Sequence, residues 1–136
     1  MALQVELVSP EGILFEGTSS MVVVRTVGGG DIAFMPGHVP FIGTLDVYPA
    51  KIYDEDGGVT IIAVHRGFVE LANDHVSILS DVAELAADID VPRAEAAQAD
   101  AQERLRLDAE DEAAKADLER AEVRLLVAGG TLVSGH

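Results

Sequence analysis

The sequence predicts a β + α protein. A β-sandwich or barrel occupies residues 1–88, and an antiparallel α-helical hairpin with a frayed tail occupies residues 89–136. Three observations point there. Residues 3–81 run in short, β-branched, alternating segments broken by turn residues at intervals of roughly 8–12, as in packed antiparallel sheets. Residues 91–127 then hold no glycine and a single proline, and repeat apolar residues at helical spacing. Hydrophobic residues make up 49% of the 136, enough for a core, while 4% aromatics and no Trp make that core aliphatic.

In chain order, LQVELVS (3–9) alternates as a half-buried strand and Pro10-Glu11-Gly12 turns the chain. SMVVVRTV (20–27) is a β-branched strand closed by Gly28-Gly29-Gly30. GGGDIAFMPGHVPFIGTL (28–45) is rich in proline and glycine between apolar runs, a shaped loop leading into a strand. VYPAKIYD and VTIIAVHR flank DEDGG, with Asp56-Gly57 as the hairpin signal, and Pro49 within the first run marks an edge strand or a bulge. GFVELA and HVSILSD flank Asn73-Asp74, a further tight turn.

After Asp88 the period changes. Asp90 is a good helix N-cap and Pro92 falls in the first turn, where its missing N–H costs little. Ala94, Ala97, Ala101 and Leu105 form one stripe, and Ala114, Leu118, Ala121 and Leu125 a second. The acidic run from Asp108 to Asp111 is the expected turn between the helices. Each helix of about 17 residues spans about 25 Å, and opening the pair into one helix doubles the reach. Stripes made mostly of Ala bury little area, so the sequence predicts a weakly docked, extensible arm.

Charge and composition exclude several function classes. The net charge of −15 argues against nucleic acid and anionic membrane as direct partners. It is uneven: residues 1–90 carry 14 acids and 3 bases, and residues 91–136 carry 10 acids and 6 bases. With no Cys, disulfides, thiol catalysis and thiolate metal sites are out. The opening MALQVELVSP lacks a basic segment followed by a long apolar run, and no window is apolar enough to insert in a bilayer, so a soluble cytoplasmic protein is expected.

No catalytic constellation stands out. His38, His65, His75 and His136 show no metal-ligand spacing, and no G-x-S-x-G elbow occurs, so neither a metal nor a catalytic residue is expected. Residues 27–31 lack the lysine of a phosphate loop, and the acidic start at Asp54 lacks the later bidentate acid of a calcium loop. Arg93, Arg120 and Arg124, with Glu84 before the IDVPRA segment (89–94), are the exception. If the hairpin folds back, these guanidiniums converge on phosphates beside a helix N-terminus; otherwise they are surface ion pairs at helical spacing.

GGGDIAFMPGHVPFIGTL resembles the G-E-x-G-x-x-P-G-H-x-P signature of the epsilon subunit of F-type ATP synthase, called delta in mitochondria. The similarity continues in RGFVEL, in HVSILSDVAELAADID and in the Ala-rich end, and covers nearly the whole chain to about Val127. The resemblance implies a ten-stranded β-sandwich followed by the helical hairpin. It implies a non-catalytic subunit of the central rotor stalk, coupling proton translocation to ATP synthesis, peripheral on the cytoplasmic face of the cell inner membrane. The implied partners are the gamma subunit, the c-subunit ring and, through the extended hairpin, the catalytic alpha/beta head. His38, Val39, Pro40 and Phe41 match the positions near gamma, and Asp31 the position facing the c ring. The hairpin is implied to brake ATP hydrolysis when extended.

Some bacterial members bind a regulatory ATP through an I-D-x-x-R-A motif, which Ile89, Asp90, Arg93 and Ala94 match, with Glu84, Arg120 and Arg124 at corresponding positions. No cofactor is otherwise required. The chain departs from the pattern in four places. Asp100 stands where ATP-binding members have Arg, and Pro92 lies within the motif. Ala33 replaces the second Gly of the signature, and Arg66 a Gly before Gly67. Residues 112–127 carry 3 bases and 4 acids, which gives the arm little attraction for an acidic head. The alternative reading is a free-standing β-sandwich and coiled-coil adaptor; a small acid–base hydrolase finds no supporting constellation.

Overall fold

In the computed structural model the described residues are 2–129. Eight strands form one continuous sheet: β1 (Leu3–Ser9), β2 (Gly12–Ser19), β3 (Met21–Thr26), β4 (Gly30–Phe34), β5 (Phe41–Tyr53), β6 (Val59–Ala72), β7 (His75–Leu79) and β8 (Ala83–Leu85). The order is β2-β1-β7-β6-β5-β3-β4, with β8 pairing the first half of β6 along the edge that β7 takes further on. All pairs are antiparallel except β1 with β7. A single 3-10 turn at Ala86–Asp88 leads to helices α1 (Val91–Leu107) and α2 (Glu112–Gly129).

The strand count of ten is corrected to eight, and the reason is physical. FIGTL, expected within a shaped loop, runs on into VYPAKIYD as one strand, β5, of 13 residues, and VTIIAVHR and GFVELA, expected as separate strands, are one strand, β6, of 14. Both bend at the same rung, where Leu45 faces Gly67 and the pairing resumes with Val47 opposite His65. Arg66 and Gly67 take φ values of 69° and 148° there. The bend inverts the alternation. Ile62 and Val64 point inward before it, and Val69 and Leu71 after it. One strand thus serves both layers of the sandwich, which a period-two reading cannot follow across the bend.

The sheet folds over at these bends around one aliphatic core. Leu3, Val5, Leu7, Val22, Val24, Phe34, Ile52, Val76 and Ile78 are among the residues fully or almost fully buried in it. Pro49 sits in a central strand rather than at an edge. It lies where the β3–β5 register breaks between Val23 and Thr26, so its missing N–H leaves no gap in a ladder.

The helices form where the capping predicts. The Asp90 side chain accepts a hydrogen bond from the Arg93 N–H at 3.1 Å, with Pro92 in the first turn. Between the helices the Asp108 carboxylate accepts from the Glu110 N–H at 3.0 Å, and that of Asp111 from the Ala114 N–H at 3.0 Å, opening α2. Arg104 of α1 closes the hairpin through Asp117 of α2 at 2.8 Å, and bonds Asp100 on its own helix at 3.3 Å. Ala128 and Gly129, expected in the frayed tail, belong to α2; residues 130–136 lie outside the described residues. Among the described residues no helix is long and apolar enough to cross a membrane.

The Ala stripes do not set the grip on the sandwich. Ala94, Ala101, Ala114 and Ala121 are buried on the stripes the two helices share, where small side chains let the backbones approach. A different face of α2, carrying Val123 and Val127, lies on the outward side of the sheet against Ile61, Ala63 and Ile89. Two buried valines contribute roughly 1.5–3 kcal/mol each, so the folded-back hairpin is held more firmly than the stripes suggest.

Candidate functional site

The sheet brings Glu84 under the hairpin. Strand β8 pairs with β6 so that Glu84 faces Ala63 across the ladder, two residues from His65. Glu84 Oε1 accepts from Arg124 Nε of α2 at 2.7 Å and bonds His65 Nε2 at 3.0 Å. One carboxylate oxygen therefore ties two strands of the sandwich to the second helix. Burial alone raises the carboxyl's affinity for protons, but the bonds from Arg124 and His65 outweigh it and hold Glu84 below the usual carboxylate range.

A cavity of about 330 Å³ opens beside this bridge, lined by Glu84, Asp88, Asp90, Arg93, Ala94, Ala97 and Arg124. Of the seven residues matched to a nucleotide site, Glu84, Asp90, Arg93, Ala94 and Arg124 thus meet at one place, while Ile89 packs beneath α2. Arg120 departs from the set: its guanidinium is bonded to Asp117 on its own helix. Asp100 bonds Arg104 on the solvent side of α1. The lining carries two arginines against three acids, a weaker field for an anion than the arginine count alone suggests. Among the described residues no group of three or more His, Cys, Asp or Glu is placed to hold a metal ion.

The PGHVP loop is fixed from both ends. The Gly37 N–H donates to Asp74 Oδ1 at 2.8 Å, and the His38 N–H to the Met35 carbonyl at 3.1 Å. His38 packs edge-on against Phe34, with ring centroids 5.2 Å apart. Phe41 turns inward onto the core and Leu45 lies within it. Val39 and Ile42 face solvent, 70% and 73% exposed. Asp31 stands at the start of β4, bonded to Arg25 Nε at 2.8 Å, and the Arg25 guanidinium lies 3.4 Å from the Tyr48 ring centroid.

The structure adds residues the sequence did not single out. The register aligns Ile13, Val8, Leu79 and Phe68 across β2, β1, β7 and β6. Ile13, Leu79 and Phe68 are each more than half exposed, forming an apolar row on the outer face of the first layer. The neighbouring row is Glu16, Glu6, Ser77, Glu70 and Ile42. The signal was present as apolar residues at outward positions of alternating strands, but only cross-strand register assembles them.

Comparison with known proteins agrees with this architecture. Residues 2–86 match the family described as ATP synthase, Delta/Epsilon chain, beta-sandwich domain. An ATP synthase epsilon chain of Streptomyces griseus is 47% identical over 95 residues, covering 70% of this chain and 76% of the relative. One from Shouchella clausii is 40% identical over 127 residues, covering 93% and 94%, so that similarity runs through the hairpin. A chain in the structure of the Euglena gracilis mitochondrial ATP synthase, comprising OSCP, F1 and the c-ring, superposes with a TM-score of 0.71 at 18% identity, covering 99% of this chain and 82% of that one. The match over the whole sandwich and the close relatives place the chain in the delta/epsilon chain family of ATP synthase.

Proposed function

We propose that the chain is a non-catalytic rotor subunit of an F-type ATP synthase, peripheral on the cytoplasmic face of the inner membrane. Its sandwich would join the gamma subunit to the c-subunit ring so that proton-driven rotation reaches the alpha/beta head. The observation that carries this reading is the exposed apolar row Ile13, Leu79 and Phe68, with exposed Ile42 in the row beside it and Val39 in the adjoining loop, on a chain whose relatives are epsilon subunits. Such a row on a soluble domain calls for a protein partner. The acidic row beside it, Glu6, Glu16 and Glu70, calls for basic residues on that partner. Gamma docks across this face and the adjoining loop, where Val39 and Pro40 supply the contact and His38 and Phe41 set the loop's shape. Asp31, held by Arg25, presents its remaining carboxylate oxygen to the c ring.

Co-purification tests the docking. Phe68→Glu and Leu79→Glu change exposed side chains, so the fold should persist while gamma recovery falls at least tenfold. Gamma recovery equal to that of the unchanged chain would contradict the docking face.

The domain boundary falls between Asp88 and Ile89, the sandwich being the coupler and the hairpin the brake on ATP hydrolysis. The cavity beside Glu84 is the place for a regulatory ATP, with Arg93 and Arg124 toward the phosphates; its convergent lining supports this reading. Calorimetric titration with ATP checks it. Heat of binding lost in Arg93→Ala is the expected result, and equal heats in both chains would contradict it.

A further inference from the structure

His65 is buried on the face of β6 that α2 covers, with its side chain 4% exposed. Its Nε2 bonds Glu84 Oε1, and since the carboxylate can only accept, Nε2 carries the proton of a neutral ring. Nδ1 is buried with no hydrogen-bond partner among the described residues. A second proton would sit on that nitrogen, with no acceptor among the described residues and in the field of Arg124 and Arg120 of α2. The charged groups around the ring are Glu84 from β8 and Arg124 and Arg120 from α2. Asp88 and Arg93 line the cavity beyond Glu84, and Asp117 takes the guanidinium of Arg120.

We propose that the His65–Glu84–Arg124 bridge is a proton-sensitive latch, which holds the helical hairpin against the sandwich at neutral pH and lets go as the solution is acidified. The inference needs only the folded-back geometry and does not rest on the rotor reading.

The sign follows from which state binds the proton. With the hairpin docked, burial first, and then Arg124 and Arg120, hold the His65 pKa below its ordinary 6.5, against the opposing pull of Glu84. Once α2 leaves, the ring is solvated, both arginines withdraw, and Glu84 remains as a carboxylate neighbour. The undocked ring therefore takes up a proton at a higher pH than the docked one. Above the undocked value both states hold a neutral ring, and docking has its full strength. Below it the undocked state gains the proton and docking weakens, until the lower docked value is reached and the effect saturates. Each unit between the two values weakens docking by about tenfold.

The test uses the full chain, which has no Cys of its own. Cysteines at the exposed Glu119 of α2 and Ser20 of the sandwich carry a spin-label pair, and the distance distribution is followed from pH 8 to pH 5. A long-distance population that grows on acidification, at least several-fold, is expected, and it should be flat in His65→Gln, which keeps a donor to Glu84 and cannot be charged. The same growth in His65→Gln, or no growth in the parent chain, would overturn the proposal. A proton NMR titration of the unlabelled chain decides the matter even if the variant does not fold. A His65 ring titrating below the other histidines supports the latch, and one titrating at or above them refutes it.

Discussion

Gly67 is where a single residue decides the fold. A Cβ built there would lie 2.1 Å from the Leu79 carbonyl oxygen, and its φ of 148° is one that side chains rarely adopt. Gly67→Ala should therefore cost at least about 1–3 kcal/mol, read as a lower midpoint in urea unfolding. Its neighbour Arg66 holds φ 69° without the freedom of glycine, while the Ser80 hydroxyl donates to its carbonyl at 2.7 Å. Arg66→Gly should thus cost little. Glu84 sets an acid-side limit on stability. Burial opposes its ionisation, the Arg124 and His65 bonds outweigh burial, and its pKa lies below the ordinary 4.5. A depressed carboxylate contributes stability that is full above the unfolded value and is lost as the pH falls through the folded one. The melting temperature should fall as the pH drops below about 4.5, and fall less steeply in Glu84→Gln.

Among the elements, α2 carries the sharpest consequence. Val123→Ala or Val127→Ala removes two methyl groups from the contact with Ile61 and Ala63 and should weaken docking by about 1–2 kcal/mol. Hydrogen exchange would show faster opening of α2 with the strands unchanged. Asp90→Ala removes the cap of α1 and should cost about 1 kcal/mol. The helices, their caps and the turns at Asp56-Gly57 and Asn73-Asp74 were legible because each rests on local chemistry. What was not legible needed partners far away in sequence. The continuity of β5 and β6 depends on a bend that flips side-chain parity. The Ala stripe of α2 was read as its grip on the sandwich because periodicity shows a stripe but not its neighbour. Five nucleotide-site candidates met in one cavity, while Arg120 was drawn to Asp117, a local pairing that the i, i+3 spacing already offered.

At the scale of the molecule, a sandwich with one aliphatic core carries a hairpin fastened by two valines, an isoleucine and one carboxylate bridge. A contact of that size suits an arm that leaves and returns, since its few kcal/mol are within reach of a competing partner. If the arm brakes hydrolysis as proposed, its near balance of charge between residues 112 and 127 predicts a mild brake rather than a strong one. The most direct measurement compares ATP hydrolysis and ATP-driven proton pumping by the ATP synthase assembled with the full chain and with a chain ending at Asp88. Retained assembly and pumping with a modest rise in hydrolysis, about two- to fivefold for a barrier lowered by under 1 kcal/mol, is the predicted result. Loss of pumping with the full chain present, or failure of the full chain to assemble with gamma, would contradict the account.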